Sequence, residues 1–140
     1  MTLTGPASLR RMSGPLIFIA TNRLRPGALD AERRRVPDLV AFVERHEPQV
    51  LAFNEYVDAE RGEVAVVQVH SDAASMELHV ELIGDRAAQA YAETLEATTG
   101  IQVFGPPSEA VVAMLRAQAG SGVPMVSYSE HLGGFTRPGR

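Results

Sequence analysis

Three segments of this chain carry apolar side chains on both faces of a strand, and that pattern limits the folds open to it. Leu16 to Leu24 (LIFIATNRL) is apolar at every position through Ala20. In Gln49 to Val57, residues Val50, Ala52, Asn54 and Tyr56 share one face, and Leu51, Phe53, Glu55 and Val57 share the other. In Glu63 to His70, Val64, Val66, Gln68 and His70 oppose Ala65, Val67 and Val69. Strands without a polar face need cover on both sides.

The segments between them read as helices and turns. Leu29, Val36, Val40 and Val43 fall on one helical stripe within residues 28–47, with Pro37 inside it. A proline there either kinks the helix or begins its regular part. The Arg33, Arg34, Arg35 run reads as a solvated helix face. The polar DAERG turn, with Gly62 able to take a positive φ, joins the second and third strands. Ser71 or Asp72 caps a second helix with Ala74, Leu78 and Leu82 on its stripe; a break is expected near Gly84-Asp85, followed by a second run through Ala88, Tyr91, Ala92 and Leu95. A fourth strand is expected over 99–105, then a short helix capped by Ser108 and stopped by Gly120, and a fifth strand within 123–131.

The order is β-α-β-β-α-β with an added α-β, which is the split βαβ, ferredoxin-like arrangement of the α+β class: an antiparallel sheet with helices on one face. The other sheet face then needs a partner, and a second copy of the same sheet would supply it, giving a homodimeric α/β barrel. The expected layout is a flexible tail over 1–14, a ferredoxin-like domain over 15–106 and a C-terminal helix-strand extension over 107–140. The extension is expected to pair with a sheet edge, reach across the dimer, or cover a pocket mouth with Tyr128 or His131.

Composition narrows the function. Thirteen Lys+Arg against 17 Asp+Glu leave a net charge of -4, which disfavours nucleic acid as a partner. The longest apolar run, Leu16 to Ala20, is far below the ~20 residues that span a bilayer. No Cys is present, so disulfides, thiolate chemistry and iron–sulfur clusters are excluded; a reducing, cytoplasmic setting is expected. The His residues at 46, 70, 79 and 131 form no i, i+3 or i, i+4 pair, and no HExxH, GxGxxG, Walker or GxSxG motif occurs. Neither a metal site nor nucleotide binding is expected.

The segments LIFIATNRLRPG, FNEYVDAERGEVAVVQVHSD and SDAASMELHVELIG together resemble the antibiotic biosynthesis monooxygenase-like group of the dimeric α/β barrel superfamily. The resemblance covers about residues 16 to 105. It implies a pocket between sheet and helices and, in some members, cofactor-independent oxygenation of aromatic or quinol compounds; other members degrade haem. By this resemblance Asn22 matches a pocket Asn near the reacting oxygen, and His79 a helical His. The Trp of haem-degrading members has no counterpart here, and their iron-ligating His falls near Ala88.

A cofactor-free oxygenase needs a desolvated pocket, a base, and a donor for the substrate anion. Asn22 as donor and His79 as base are the expected catalytic residues. His70, Asn54, Tyr56 and Tyr91 are expected to line the pocket, with no cofactor and no metal. Two functions compete, a monooxygenase acting on a small aromatic ligand and a non-catalytic small-ligand-binding or interaction dimer, with a haem-degrading monooxygenase ranked third.

Overall fold

The computed structural model describes residues 14–137; the expected tail over 1–14 falls outside the described residues except for Gly14. The elements are β1 (Leu16–Leu24), α1 (Leu29–His46), β2 (Val50–Asp58), β3 (Glu63–His70), α2 (Ala73–Glu93), β4 (Leu95–Phe104), α3 (Glu109–Ala119) and β5 (Met125–Tyr128). They form one sheet of order β2-β3-β1-β4-β5. The first four strands are antiparallel, with β1 at the centre, and give the ferredoxin-like α+β order. β5 joins the outer edge of β4 in parallel, through Ile101 with Met125 and Phe104 with Tyr128.

Local chemistry accounts for most boundaries. The Asp72 side chain accepts from the Ser75 amide at the start of α2, and Ser108 does the same for Val111 in α3, so each satisfies one orphan N–H. Gly62 closes the β2–β3 turn at φ 65°, where a Cβ is disfavoured. One alternative is settled and three expectations change. α1 runs through Pro37, and α2 runs unbroken through Gly84-Asp85: one glycine costs only about 1 kcal/mol in a helix, less than packing along the sheet returns. Leu78 and Leu82, expected on the buried stripe, are exposed, whereas Met76, His79 and Ala90 are buried. β4 begins at Leu95 rather than 99, because Leu24 pairs with Leu95 and extends the ladder.

All three helices contact the sheet. Strand alternation sends Leu16, Phe18, Ala20, Asn22 and Leu24 of β1 into the buried side,. The main core joins Leu16, Phe18, Ala20, Ile101 and Val103 from the sheet to Met76 of α2 and Val111 and Leu115 of α3. The extension is thus built into the principal core, not laid over it. A smaller cluster of Leu24, Val64, Ala90 and Leu95 closes the other end. No helix of the described residues is long and apolar enough to cross a membrane.

Candidate functional site

Between the sheet and helices α1 and α2 lies a small cleft, about 70 Å³ in volume, that opens to solvent. Its floor comes from Phe18, Ala20 and Asn22 of β1, with Phe53, Glu55, Val66 and Gln68 from β2 and β3. Leu39, Ile83, Ala87 and Tyr91 are among the helix residues above it. The walls are mostly apolar, with a few polar groups set at fixed points, the usual composition of a small-molecule site.

Asn22 forms one end. Its Oδ1 accepts from the Tyr91 hydroxyl at 2.6 Å and from Thr98 Oγ1 at 2.8 Å. Tyr91 and Thr98 are themselves 2.6 Å apart, and Arg25 donates to the Tyr91 carbonyl. Thr98 reaches this side through an irregularity. Thr21 pairs with Gly100 but Asn22 pairs with Thr98, so Thr99 is an extra residue in β4. Without that bulge, strict alternation would set Thr98 on the face of Gly100. Asn22 itself is 3% exposed.

Gln68 stands nearer the other end, opposite Phe18. Its Oε1 lies 2.8 Å from His70 Nε2. An amide oxygen only accepts, so Nε2 carries the proton. His70 Nδ1, 2.9 Å from Ser75 Oγ, is then the acceptor of the serine hydroxyl. Burial, with the nearby His79, pulls the His70 imidazole down to about 4, which keeps it neutral at pH 7.

A third group flanks the cleft. Arg35 donates from Nε and Nη2 to the two oxygens of Glu32, at 2.9 and 2.6 Å. Glu55 Oε1 is 3.8 Å from the same Nη2. Burial would raise the Glu32 carboxyl, but hydrogen bonds from Arg35, Glu55 and Thr94 hold it at about 2. Burial and the hydrogen bond and charge of Glu32 push Glu55 up to about 9, against the pull of Arg35. The trio therefore carries one carboxylate, one guanidinium and one neutral carboxyl at pH 7, and its charges cancel.

The expected residues divide. Asn22 and Tyr91 line the cleft together. His70 lies behind Gln68, fully buried, and His79 lies behind Phe53, ring centroids 5.6 Å apart; neither lines the cleft. His79 Nδ1 is 2.8 Å from Glu47 Oε1, both side chains being almost wholly out of solvent. Burial lowers His79 to about 4 and raises Glu47 to about 7. Asn54 and Tyr56, expected to line the pocket, point to the opposite sheet face: Asn54 pairs with Val67 and Tyr56 with Ala65, and Tyr56 is 61% exposed. The alternation that removes them brings Glu55 in. Arg35, in the run read as a solvated face, was likewise missed, along with Glu32, Glu55, Gln68 and Thr98. Period 3.6 would have singled out Arg35, since Glu32 and Arg35 are i, i+3 neighbours. Among the described residues no group of three or more His, Asp or Glu is arranged to hold a metal ion.

No family model matches the sequence, and no curated protein does. Solved structures do. MupZ from Pseudomonas fluorescens superposes with a TM-score of 0.66 at 18% identity over 89% of this chain and 95% of its own. That coverage exceeds what residues 16–105 could supply, so the likeness extends into the C-terminal extension. PA3566 from Pseudomonas aeruginosa matches at 26% identity and TM-score 0.56 over 66% of this chain and 93% of its own. A structure described as antibiotic biosynthesis monooxygenase matches at 24% identity and TM-score 0.54 over 63% and 94%. Helices on one face of a 4-1-3-2 sheet, a cleft beneath them and these superpositions agree: the chain carries the ferredoxin-like fold of the antibiotic biosynthesis monooxygenase-like proteins.

Proposed function

We propose that this protein is a monooxygenase-type enzyme that acts without a metal or organic cofactor on a small aromatic or quinol-type substrate. The observation that carries this reading is the apolar cleft ending on Asn22, whose amide oxygen is tied up by Tyr91 and Thr98. The Asn22 NH2 is left to donate to a substrate oxygen. That fixed donor stabilises the anion left by ionisation of a phenolic or enolic O–H, and the proton passes to water at the open side of the cleft. The anion reduces O2. In an anthrone-type substrate a CH2 group becomes C=O, and its two hydrogens leave in the water formed from the second oxygen atom.

Asn22 is the catalytic residue in this scheme. His79 is a positioning residue, acting through the Phe53 wall. Incubation with anthrone under oxygen tests the reading: the wild type consumes oxygen and forms the quinone, and Asn22→Ala loses most of that turnover while remaining folded. No turnover with anthrone or a naphthoquinol removes it.

A second reading is favoured by the placement of both histidines outside the cleft, which leaves no imidazole to take a substrate proton. In that reading the protein is a non-catalytic binding protein, and saturable ligand binding without oxygen consumption selects it.

The other sheet face supports a homodimer. Ile17, Ile19, Val67, Val69 and Phe104 lie on the side away from the helices, and Tyr128 stacks on Phe104 with centroids 5.3 Å apart. A second sheet would bury this face.

A further inference from the structure

We propose that Glu55 is the catalytic acid–base of the cleft: it protonates the peroxide formed from substrate and O2, then removes the last C–H proton as the O–O bond breaks. This deepens the proposed function and rests on it, adding the proton carrier that Asn22, a hydrogen-bond donor only, does not supply.

The geometry of the trio places a proton on Glu55. Arg35 bridges both oxygens of Glu32 at 2.9 and 2.6 Å, and Glu55 Oε1 stands 3.8 Å from the same Nη2. The Glu32 and Glu55 side chains are 3% and 6% exposed. Two buried carboxyls beside one cation do not both ionise, so the one outside the bidentate contact keeps its proton. Of the two, Glu55 is the one that lines the cleft. Other donors on the cleft wall are committed: the Tyr91 hydroxyl to Asn22 Oδ1, and Arg35 Nε and Nη2 to Glu32. Arg35 also borders a second groove with Asp38, Arg86 and Glu93, and the Glu93 charge helps to keep the guanidinium protonated.

Register sets the reach. Glu55 pairs with Val66, and Val66 with Ala20, two residues before Asn22 on β1. Two strand spacings are about 10 Å and two residues of strand about 7 Å. A substrate whose oxygen sits on the Asn22 amide therefore extends over Ala20 and Val66 toward Glu55, and the CH2 of an anthrone, opposite its oxygen, lies on that side.

The chemistry balances through this one carboxyl. The substrate anion and O2 join in a peroxide: a C–O bond forms, the carbon gives two electrons to O2, and the terminal oxygen carries the charge. Glu55 gives that oxygen its proton. A peroxide anion is a stronger acceptor than Glu32, whose two oxygens Arg35 already holds, and a carboxyl group turns easily about its last bond. The Glu55 carboxylate left behind is an effective base, because burial and the Glu32 charge favour its neutral form. It takes the remaining C–H proton; that electron pair becomes the second bond of C=O, the O–O bond breaks and hydroxide leaves. The proton released to water at the start neutralises the hydroxide. CH2 and O2 have become C=O and H2O, and Glu55 is neutral again.

Two measurements on the full chain test this role. With anthrone under oxygen, Glu55→Gln, which keeps shape and neutrality, is expected to lower kcat about 100-fold or more, the usual worth of a general acid–base, with KM within about twofold of the wild type. The little product it forms is the organic hydroperoxide instead of the quinone. Glu55→Asp, which keeps a carboxyl, restores part of the kcat and the quinone. Infrared difference spectra at neutral pH read the proton without turnover: wild type minus Glu55→Gln shows a protonated-carboxyl band, and that band is absent from Glu32→Gln, where Arg35 pairs with Glu55 and ionises it. Circular dichroism confirms the fold of each variant. Wild-type turnover that Glu55→Gln matches, or no protonated-carboxyl band at Glu55, overturns this role and leaves the oxygenase reading standing. A wild type inert toward anthrone ends the oxygenase reading and this role with it, so the wild type alone tells the two failures apart.

Discussion

Thr98 Oγ1 donates to Asn22 Oδ1 at 2.8 Å, beside the first of two steps at which β4 gains an extra residue against β1. The contact ties a sheet irregularity to the polar end of the cleft. Tyr91 completes the triangle from α2, so strand, bulge and helix converge on one amide oxygen. Removing either donor leaves the other in place. Thr98→Val and Tyr91→Phe are each expected to cost about 1 kcal/mol, measured as a lower urea midpoint. The double variant should cost more than the sum of the two, because Asn22 Oδ1 then lacks any partner in a buried site. Strict additivity would show that the three groups do not act as a unit.

The buried titratable groups predict a stability maximum on the acid side of neutrality. Glu47 and Glu55 are raised, to about 7 and about 9. Their contribution is full below the unfolded carboxylate range and is lost as pH rises through those values. His70 and His79 are lowered to about 4; their contribution is full above the unfolded imidazole value and is lost as pH falls through about 4. Between about pH 4.5 and 6.5 the two pairs offset each other, so urea midpoints should decline from pH 7 to 9, stay roughly level through that window, and fall as pH drops below about 4.5, where Glu32, held at about 2, also loses its contribution,. Glu55→Gln, which keeps a neutral side chain, should flatten the alkaline decline. A midpoint that climbs steadily from pH 6 to 9 contradicts this assignment.

Leu115 of α3 is 1% exposed within the main core, whereas Leu132 is 90% exposed. Leu115→Ala is expected to cost about 2–5 kcal/mol, and Leu132→Ala less than ~0.5 kcal/mol. Removing residues 107–140 should uncover Phe18, Ile101 and Val103 and leave a protein that binds hydrophobic dyes and unfolds without a sharp transition. A truncated chain as cooperative as the full one would show that the extension is dispensable.

The open sheet face predicts the assembly. Sedimentation at micromolar concentration should give twice the chain mass of 15.1 kDa. Ile19→Glu, which puts a charge in the middle of that face, should give the single chain with cooperative unfolding preserved. A wild-type particle of one chain mass ends the dimer proposal.

Much of the fold was legible in the sequence because it rests on local rules. The Asp72 and Ser108 caps and the Gly62 turn depend on a few neighbouring residues, and the order of segments left few ways to connect them. The two-faced strands already implied that one sheet face would meet helices and the other would need different cover. Alternation separates Asn54 and Tyr56 from Phe53 and Glu55, but it does not say which set the helices cover. That choice follows from how β2 registers on β3.

The chemistry of the cleft was decided almost entirely by the tertiary structure. Arg35 differs from Arg33 and Arg34 only in the helical angle at which α1 meets the sheet, and that angle gives it Glu32 and Glu55 as partners. Thr98 reaches Asn22 because one residue of β4 is left out of the ladder. His79, legible as a helical histidine, becomes a buried partner of Glu47 because the C-terminal end of α1 packs beside α2. The sequence by itself determined the elements, their order and the need to cover both sheet faces, since hydrophobic period and capping act over a few residues. Which polar groups meet in the cleft, and with which protons, was left to packing, because those contacts join residues far apart in the chain and burial sets their charge.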